Sequence, residues 1–309
     1  MNKWQPDILG EPYQSLTLDL GENQATLVRY VPEDITERPA LLWVHGMTDY
    51  FFQTHVAEYF HEKGYAFYAI DLRKCGRSRR EGELWHYVTD LTDYFEDLDA
   101  AYEVIIGRHP SMVPIAHSTA GMIVPMWLGE RDLEVPALVL DSPWLDLMGF
   151  TQTQINLIRP IINIVGKIFP VFPFPGGGLT AFGESIHKDY HGEWNYDLQL
   201  KPLGGHRKYL GWLRTVLNNQ HRIHTDQVDV KAPTLVLTSH RSHLGHPYSA
   251  ETDTADAVID AEQTRRWAPH LGKDVDIHTI LGARHDVFLS LPPARAEAFA
   301  ITEEFLRKF

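Results

Sequence analysis

Five short apolar runs divide the chain at intervals, and they contain almost no polar positions. Such runs predict strands buried on both faces, which is typical of a parallel sheet. They read ALLWVHG, YAFYAID, MVPIAHS, PALVLDS and PTLVLTS. Two earlier segments, SLTLDL and NQATLVRYV, also predict strands, and the second alternates apolar and polar positions as a half-exposed strand does.

Helical patterns lie between the runs. At residues 90–106 the apolar residues recur with helical spacing, which places Asp90, Asp93 and Asp97 on a predicted solvent face. Strands that alternate with helices predict an α/β sheet with helices on both faces. Residues 144–228 break this rhythm because they contain no clear strand, and they are interpreted as a mostly helical insertion, a type of long segment that is usually functional.

Composition and charge exclude several classes of protein. The chain has 309 residues and a net charge of −13, so nucleic acid and anionic membrane surfaces are not expected as partners. Cys75 is the one cysteine, which excludes an intramolecular disulfide. The N-terminal residues lack the apolar core of a signal peptide, and Arg159, Lys167 and several prolines interrupt the longest apolar stretch. We therefore expect a cytoplasmic protein without an integral membrane segment.

Ser118 lies between the predicted strand MVPIAH and a predicted helix. Active sites of parallel α/β sheets form at the carboxyl ends of strands. A sharp strand-to-helix turn that presents a serine needs small residues two positions before and after it, and Ala116 and Ala120 stand where glycine is usual. We predict that Ser118 is a nucleophile, while an ordinary N-cap serine is the structural alternative.

A serine hydroxyl needs a base that accepts its proton. His285 follows the last predicted strand, VDIHTI, and is the predicted base, whereas His278 within that strand is interpreted as structural. A third group must hold the imidazole in one tautomer. Four acids remain open for this role, namely Asp141, Asp253, Asp256 and Asp260.

Two backbone amides are predicted to form an oxyanion hole. Thr119 follows Ser118 at the start of a helix, where amides lack intrahelical partners. In the loop after the first apolar run, Gly46 permits close approach of the backbone, so the Met47 amide is the second predicted donor. His45 is interpreted as a residue that braces this loop.

Five motifs, in family order, resemble those of serine α/β-hydrolases of the monoacylglycerol lipase, lysophospholipase and serine aminopeptidase group. They are WVHGMTD, AIDLRKCGRS, IAHSTAG, DAVID and ILGARHDVFLS. The resemblance implies an α/β-hydrolase fold, with a mostly parallel sheet flanked by helices, a core of residues 1–143 and 229–309, and a cap of residues 144–228. It also implies that Asp256 is the acid, that Asp260 caps a helix, and that Arg73 and Ser78 are bracing residues.

The resulting hypothesis is a serine hydrolase of the carboxylesterase or lipase type. It would cleave hydrophobic acyl esters such as monoacylglycerols through an acyl-enzyme on Ser118, with no cofactor and no metal. The alternatives are an acyltransferase or carbon–carbon hydrolase, a binding module without activity, and an amide or peptide hydrolase that holds a substrate amine through Glu184, Asp189 or Glu193. Dehalogenases and epoxide hydrolases are disfavoured because they need aspartate at the serine position.

Other features of the sequence carry weaker expectations. His240, His243 and His246 lack zinc-site spacing and are interpreted as part of a solvated loop. Pro125 is predicted to kink the helix after Ser118, and Cys75 is interpreted as a small buried residue. Apolar cap residues are predicted to offer a wall to the substrate, although packing against the core explains most of them. These are Ile161, Ile162, Ile164, Val165, Ile168, Phe169, Val171, Phe172 and Phe174.

Overall fold

The computed structural model describes residues 3–174 and 180–309, and the described residues contain nine strands and eight α-helices. The strands are β1 (Gln5–Pro6), β2 (Tyr13–Leu20), β3 (Asn23–Tyr30), β4 (Ala40–Val44), β5 (Ala66–Asp71), β6 (Met112–His117), β7 (Leu138–Asp141), β8 (Thr234–Ser239) and β9 (Val275–Ile280). The helices are α1 (Thr54–Glu62), α2 (Phe95–Ile106), α3 (Ala120–Arg131), α4 (Gln152–Ile168), α5 (Ala181–Ile186), α6 (Leu210–His224), α7 (Ala261–Trp267) and α8 (Pro292–Leu306). The glycine-rich end of the long apolar stretch, at 175–179, lies outside the described residues.

All nine strands form one sheet in the order β1-β2-β3-β5-β4-β6-β7-β8-β9. The pairs β1–β2, β2–β3 and β3–β5 are antiparallel, whereas every pair from β5–β4 to β8–β9 is parallel. The seven strands expected from the five apolar runs and the two early segments are all present. This sheet, with helices flanking it, confirms the predicted mostly parallel α/β-hydrolase fold.

The central strands are buried because both faces of the sheet carry helices. On β4, Leu42 and Val44 belong to one hydrophobic cluster, and Leu41 and Trp43 belong to the cluster on the opposite face. Neighbouring side chains of a strand point to opposite faces, so a strand covered on both sides needs an apolar residue at every position. This requirement explains why the runs lack polar residues, and it leaves the strand ends as places for polar side chains.

Helices α4, α5 and α6 lie between β7 and β8. α4 packs closely on α6 at Gly166, where an added Cβ would lie 2.7 Å from the Leu210 carbonyl oxygen. The opposite side of α4 presents an exposed apolar stripe, made up of Leu157, Ile161, Ile164 and Ile168. No helix among residues 3–174 and 180–309 has the length and apolarity that a membrane crossing requires.

The sequence predicts that the acidic side chains before and within α2 face solvent. The structure differs from this prediction at Asp97. Asp97 is fully buried, and its carboxylate accepts hydrogen bonds from the Arg73 backbone amide at 2.7 Å and from Arg73 Nε at 2.8 Å. A buried carboxylate is stable only when it is paired and hydrogen-bonded, and Arg73 meets both conditions. Helical spacing does not reveal such a long-range partner, so the prediction for Asp97 was wrong.

Candidate active site

Ser118 occupies the sharp turn between β6 and α3. Its φ is +54°, a left-handed conformation, as are the φ angles of Thr48 and Ser142 nearby at +55° and +45°. The turn is held by the Ser118 amide, which donates to the Asp141 carbonyl at 2.9 Å. The backbone after the turn approaches Pro143 closely at Gly121, where an added Cβ would lie 2.5 Å from Pro143 Cβ. The turn therefore needs glycine three residues after the serine.

Helix α3 begins directly after this turn and runs to Arg131 through Pro125. Ala116 and Ala120, which flank the serine at two positions on either side, are both fully buried. Their methyl groups fit between the sheet and the helix, so alanine serves here in place of the usual glycine pair.

The structure brings Ser118, His285 and Asp256 into one hydrogen-bonded chain. Ser118 Oγ lies 2.9 Å from His285 Nε2, and His285 Nδ1 lies 2.9 Å from Asp256 Oδ2. The second Asp256 oxygen, Oδ1, accepts from the amides of Val258 and Ile259 at 2.8 and 2.9 Å. All three members of the chain are buried. The carboxylate is thus fixed in orientation, and it fixes the imidazole in turn.

The other three candidate acids have different partners. Asp253 pairs with Arg284 at 2.6 Å, and Asp260 caps α7 by accepting from the Glu262 amide at 2.9 Å. Asp141 accepts from a backbone amide through Oδ1 and faces another histidine through Oδ2. Of these four acids, Asp256 is therefore the one that contacts His285.

Met47, Thr119 and Ser118 line one cavity. Neither the Met47 amide nor the Thr119 amide donates to another atom within the described part of the chain. The loop that carries Met47 passes so near the turn that a Cβ on Gly46 would lie 2.9 Å from Ser118 Cβ. Two unpaired donors beside a serine hydroxyl form an arrangement that can bind an oxyanion, and their role stays a prediction.

His45 and Ser78 brace neighbouring loops. His45 Nε2 accepts from the Leu72 amide at 3.0 Å, so its Nδ1 carries the hydrogen and donates to the Gly46 carbonyl at 2.7 Å. The Ser78 hydroxyl donates to the carbonyl of Asp71 at the end of β5. The His45 contacts join the Met47 loop to the segment after β5, and the Ser78 contact holds the loop of residues 72–78 to the end of β5.

The cavity above Ser118 has a volume of about 520 Å³. Ser118 and His285 line it, and most of the lining is apolar. Its large apolar residues include Trp144, Leu147, Phe174, Phe182, Trp212 and Leu213. A cavity of this size and polarity can hold a small ligand with a hydrophobic body next to the hydroxyl group.

Comparison with known proteins identifies the family of this chain. Residues 36–291 match the family described as "Serine aminopeptidase, S33" (Hydrolase_4), and the match spans most of the chain. The chain belongs to this hydrolase family.

Individual relatives of this S33-family hydrolase are lipases and lysophospholipases by name. A monoacylglycerol lipase of Mycolicibacterium smegmatis is 26% identical over 143 residues, which cover 45% of this chain and 49% of that lipase. A probable lysophospholipase L2 of Haemophilus influenzae is 22% identical over 293 residues, which cover 87% of this chain and 84% of the relative. The crystal structure of a Saccharomyces cerevisiae monoglyceride lipase superposes with a TM-score of 0.68 at 16% identity, covering 100% of this chain and 96% of that one. The resemblance to the lipase and lysophospholipase group is confirmed.

A second buried cluster in this S33 hydrolase lies under the hydrogen-bonded chain. His117 Nδ1 is 3.0 Å from Asp141 Oδ2, and the His117 ring lies 4.8 Å from that of His285. Asp286 completes the cluster and accepts from Gln53 Nε2 at 3.0 Å. Burial raises the pKa of both carboxyl groups to about 7, that of Asp286 with help from the Asp141 charge, and lowers the pKa of His117 to about 4. Near pH 7 the two carboxyl groups are therefore partly protonated and the His117 ring is neutral, so the cluster carries less than two negative charges.

Sequence reasoning missed most of this cluster. From the sequence, Asp141 is one of the candidate acids for His285, whereas His117 and Asp286 have no predicted role. The signal that could have found them is their position, since each lies directly beside Ser118 or His285 in a segment that is otherwise apolar. Polar residues of that kind must find buried partners, and here they find one another.

The structure differs from the prediction that the apolar cap residues form a wall of the cavity. Of the nine cap residues named for it, all of which are described, Phe174 lines the cavity. Six others are exposed, namely Ile161, Ile164, Ile168, Phe169, Val171 and Phe172. Ile161, Ile164 and Ile168 belong to α4, which packs its inner face on α6, so its outer apolar stripe points away from the cavity. Phe169, Val171 and Phe172 follow the end of α4 and are also exposed. The expectation was wrong for these six residues.

The charge state of His285 leads to a pH prediction. Burial alone lowers the pKa of its imidazole, but the Asp256 carboxylate, with Asp141 and Asp286, outweighs burial and holds the pKa above 6.5. A general base must be neutral, so kcat/KM should fall as the pH drops through this raised pKa. We expect an acid limb with its midpoint above 6.5, measured with a short p-nitrophenyl ester from about pH 5 to pH 9. A midpoint at or below 6.5 would show that the neighbouring carboxylates do not raise the pKa of the His285 imidazole.

Proposed function

We propose that the protein is a serine hydrolase that cleaves carboxylic esters through an acyl-enzyme on Ser118. The observation that carries the proposal is the 2.9 Å contact between Ser118 Oγ and His285 Nε2 on the wall of an apolar cavity. A hydroxyl this close to a base that a carboxylate orients is equipped for nucleophilic attack. The family and its lipase relatives support the same reaction class.

The first half of the reaction forms the acyl-enzyme. His285 takes the Ser118 proton as Ser118 Oγ attacks the ester carbonyl, and the amides of Met47 and Thr119 stabilise the oxyanion. His285 then gives its proton to the leaving alcohol as the carbon–oxygen bond breaks. Asp256 holds the imidazole so that Nδ1 keeps its hydrogen and Nε2 faces the serine.

The second half returns the free enzyme. A water molecule enters after the alcohol has left, gives a proton to His285 and attacks the acyl carbon. The tetrahedral intermediate collapses, the acid is released, and Ser118 regains its proton from the imidazole. The products are one alcohol and one carboxylic acid, and the step needs no cofactor.

The cavity favours substrates with a hydrophobic acyl group. Residues 144–228 act as a cap in this proposal, because they contribute Phe174, Phe182, Tyr196 and Trp212 to the cavity wall. Burying apolar surface of the substrate against these rings stabilises binding by roughly 25 cal/mol per Å². Esters of monoacylglycerol size fit this description, and two relatives are named as a monoacylglycerol lipase and a probable lysophospholipase.

A peptidase activity is less well supported than an esterase activity. An aminopeptidase needs a free carboxylate that receives the substrate amine, but Glu184, Asp189 and Glu193 do not line the cavity. Within the described residues Asp49 is the one carboxylate on its wall, and it is already paired with Lys201 at 2.6 Å. An amine would therefore enter the cavity without a counter-charge.

A hydrolysis profile tests the proposal directly. The panel contains p-nitrophenyl esters of increasing acyl length, monoacylglycerols, and aminoacyl p-nitroanilides, each assayed with the wild type and with Ser118→Ala. We expect ester hydrolysis to exceed anilide hydrolysis, with the Ser118→Ala protein inactive on both. Preferred cleavage of the aminoacyl anilides would reverse the conclusion in favour of a peptidase, and lack of any turnover together with lack of fluorophosphonate labelling would favour a binding module.

A further inference from the structure

Asp141 and Asp286 lie side by side in the interior without a basic side chain to balance them. Asp141 is 0% exposed and Asp286 1%, and one oxygen of each, with a ring nitrogen of His117, lies within 4.8 Å of the others. Among the described residues no lysine or arginine forms an ion pair with either carboxylate, and the nearby Lys201 is paired with Asp49. Two ionised carboxylates in such a place repel each other, so we expect one of them to hold a proton.

The hydrogen bonds of the pair indicate where that proton belongs. Asp286 accepts at both oxygens, at Oδ1 from the Phe288 amide and at Oδ2 from Gln53 Nε2, each at 3.0 Å. Asp141 Oδ1 accepts from the Val287 amide at 3.2 Å, whereas Oδ2 is buried and receives no hydrogen bond from a donor of the described residues. The two carboxyl groups are nevertheless in hydrogen-bond contact, which two ionised carboxylates cannot form. A proton on Asp141 Oδ2 accounts for both observations.

The ionisable groups around the pair are His117, His285 and the paired Asp49 carboxylate. His117 Nδ1 lies 3.0 Å from Asp141 Oδ2 without making a hydrogen bond, and burial lowers the pKa of this ring to about 4, so it is neutral near pH 7. Burial also raises the pKa of Asp141 and of Asp286 to about 7. With one proton on the pair, the cluster therefore carries a single negative charge.

Asp141 connects the nucleophile to the base. Its backbone carbonyl accepts from the Ser118 amide at 2.9 Å, and its side chain accepts from the backbone amide two residues after His285. Burial lowers the pKa of His285, and the Asp256 carboxylate raises it. The charges of Asp141 and Asp286 add to this rise. A negative charge at this place stabilises the imidazolium that forms when Ser118 loses its proton.

We propose that Asp141 and Asp286 share one proton, held on Asp141 Oδ2, and act together as a second counter-charge for the His285 imidazolium. The shared proton limits the pair to one negative charge. His285 is therefore stabilised when it takes the Ser118 proton, while it stays neutral before that step. The two aspartates are positioning residues, since they act through His285. This inference rests on the proposed ester hydrolysis and deepens it by naming two further residues that support the base.

Amide substitutions measure the charge of the pair. An asparagine has the shape of a protonated aspartate and no charge, so Asp141→Asn and Asp286→Asn each leave one carboxylate, as the shared proton does in the wild type. In each single variant the midpoint of the acid limb of kcat/KM should lie within about 0.3 pH unit of the wild-type midpoint. In the double variant the imidazolium loses this counter-charge, so the midpoint should fall by about one pH unit.

Infrared spectroscopy detects the proton itself and needs no turnover. The spectrum of the wild type minus that of Asp141→Asn, at neutral pH, should contain the carbonyl band of a protonated carboxyl group. Asp256→Asn is the matched control, because Asp256 is equally buried but accepts from two backbone amides at one oxygen and faces His285 with the other. Its difference spectrum should lack the band. If the double variant does not fold, these spectra and an NMR titration of the His285 ring in the single variants supply the test.

The outcomes separate this inference from the proposed function. If each single variant lowers the midpoint and the shift of the double variant is their sum, each carboxylate carries its own charge and the shared proton is overturned, as it is by a missing infrared band. An unchanged midpoint in the double variant overturns the role as counter-charge. Absence of hydrolysis and of fluorophosphonate labelling in the wild type counts against the serine hydrolase itself, while the infrared band still decides the shared proton.

Discussion

Replacing Ser118 by alanine should reduce kcat/KM for ester hydrolysis by at least about 10³-fold. The substitution removes the one oxygen that lies 2.9 Å from His285 Nε2, and it leaves the imidazole, Asp256 and the two unpaired amides in place. The measurement is steady-state hydrolysis of a short p-nitrophenyl ester, beside covalent labelling by a fluorophosphonate. The wild type should be labelled once and the Ser118→Ala protein not at all.

A matched serine provides the control for this experiment. Ser142 is also buried, also has a left-handed backbone, and stands at the end of the neighbouring strand β7. Ser142→Ala should retain labelling and most of the activity, since no hydrogen bond joins its hydroxyl to His285. If Ser118→Ala keeps wild-type activity while its melting temperature is unchanged, a different nucleophile carries the reaction and the proposed mechanism is wrong.

Replacing Asp256 by asparagine should cost about 10³- to 10⁴-fold in kcat/KM. The amides of Val258 and Ile259 both donate to Oδ1, so an asparagine must place its carbonyl oxygen there and its NH₂ toward His285. Nδ1 then has to accept a hydrogen bond, which moves the ring hydrogen to Nε2. An imidazole in that tautomer cannot take the proton of Ser118.

Asp141→Asn distinguishes the two buried acids near the imidazole. Asp141 Oδ2 faces His117, and its Oδ1 accepts from the Val287 amide at 3.2 Å, so the asparagine can keep the amide contact and leave His285 in place. We expect an activity within about tenfold of the wild type. A large loss in Asp141→Asn alone would move the role of the acid from Asp256 to Asp141, and equal losses in the two variants would mean that both acids are needed. Kinetics at several pH values and melting curves check that both variants are folded.

The sheet could be predicted from the sequence because its central strands are buried on both faces. Almost every position in such a strand has to be apolar, and Ala40–Val44 and Ala66–Asp71 lie within runs that meet this requirement almost completely. The place of Ser118 could also be predicted, since sites form at the carboxyl ends of strands and small residues mark the turn. Local rules of this kind need no knowledge of distant contacts.

The features that sequence reasoning missed all depend on distant contacts. Asp97 is buried because Arg73 reaches it, and helical spacing alone places it in solvent. The outward direction of Ile161 and Ile164 follows from the close contact of α4 with α6 at Gly166. The roles of Ser118, His285 and Asp256 in catalysis stay predictions until the kinetics are measured.

The left-handed backbone at Ser118 has a consequence for attempts to make this protein more heat-resistant. Residues other than glycine are destabilised in this conformation by about 1–2 kcal/mol, and glycine is not. A library screened for thermal survival alone should therefore become enriched in glycine at position 118, where the hydroxyl would be lost. At this position a substitution that raises thermal stability abolishes turnover. A selection for heat-resistant variants therefore has to measure both properties.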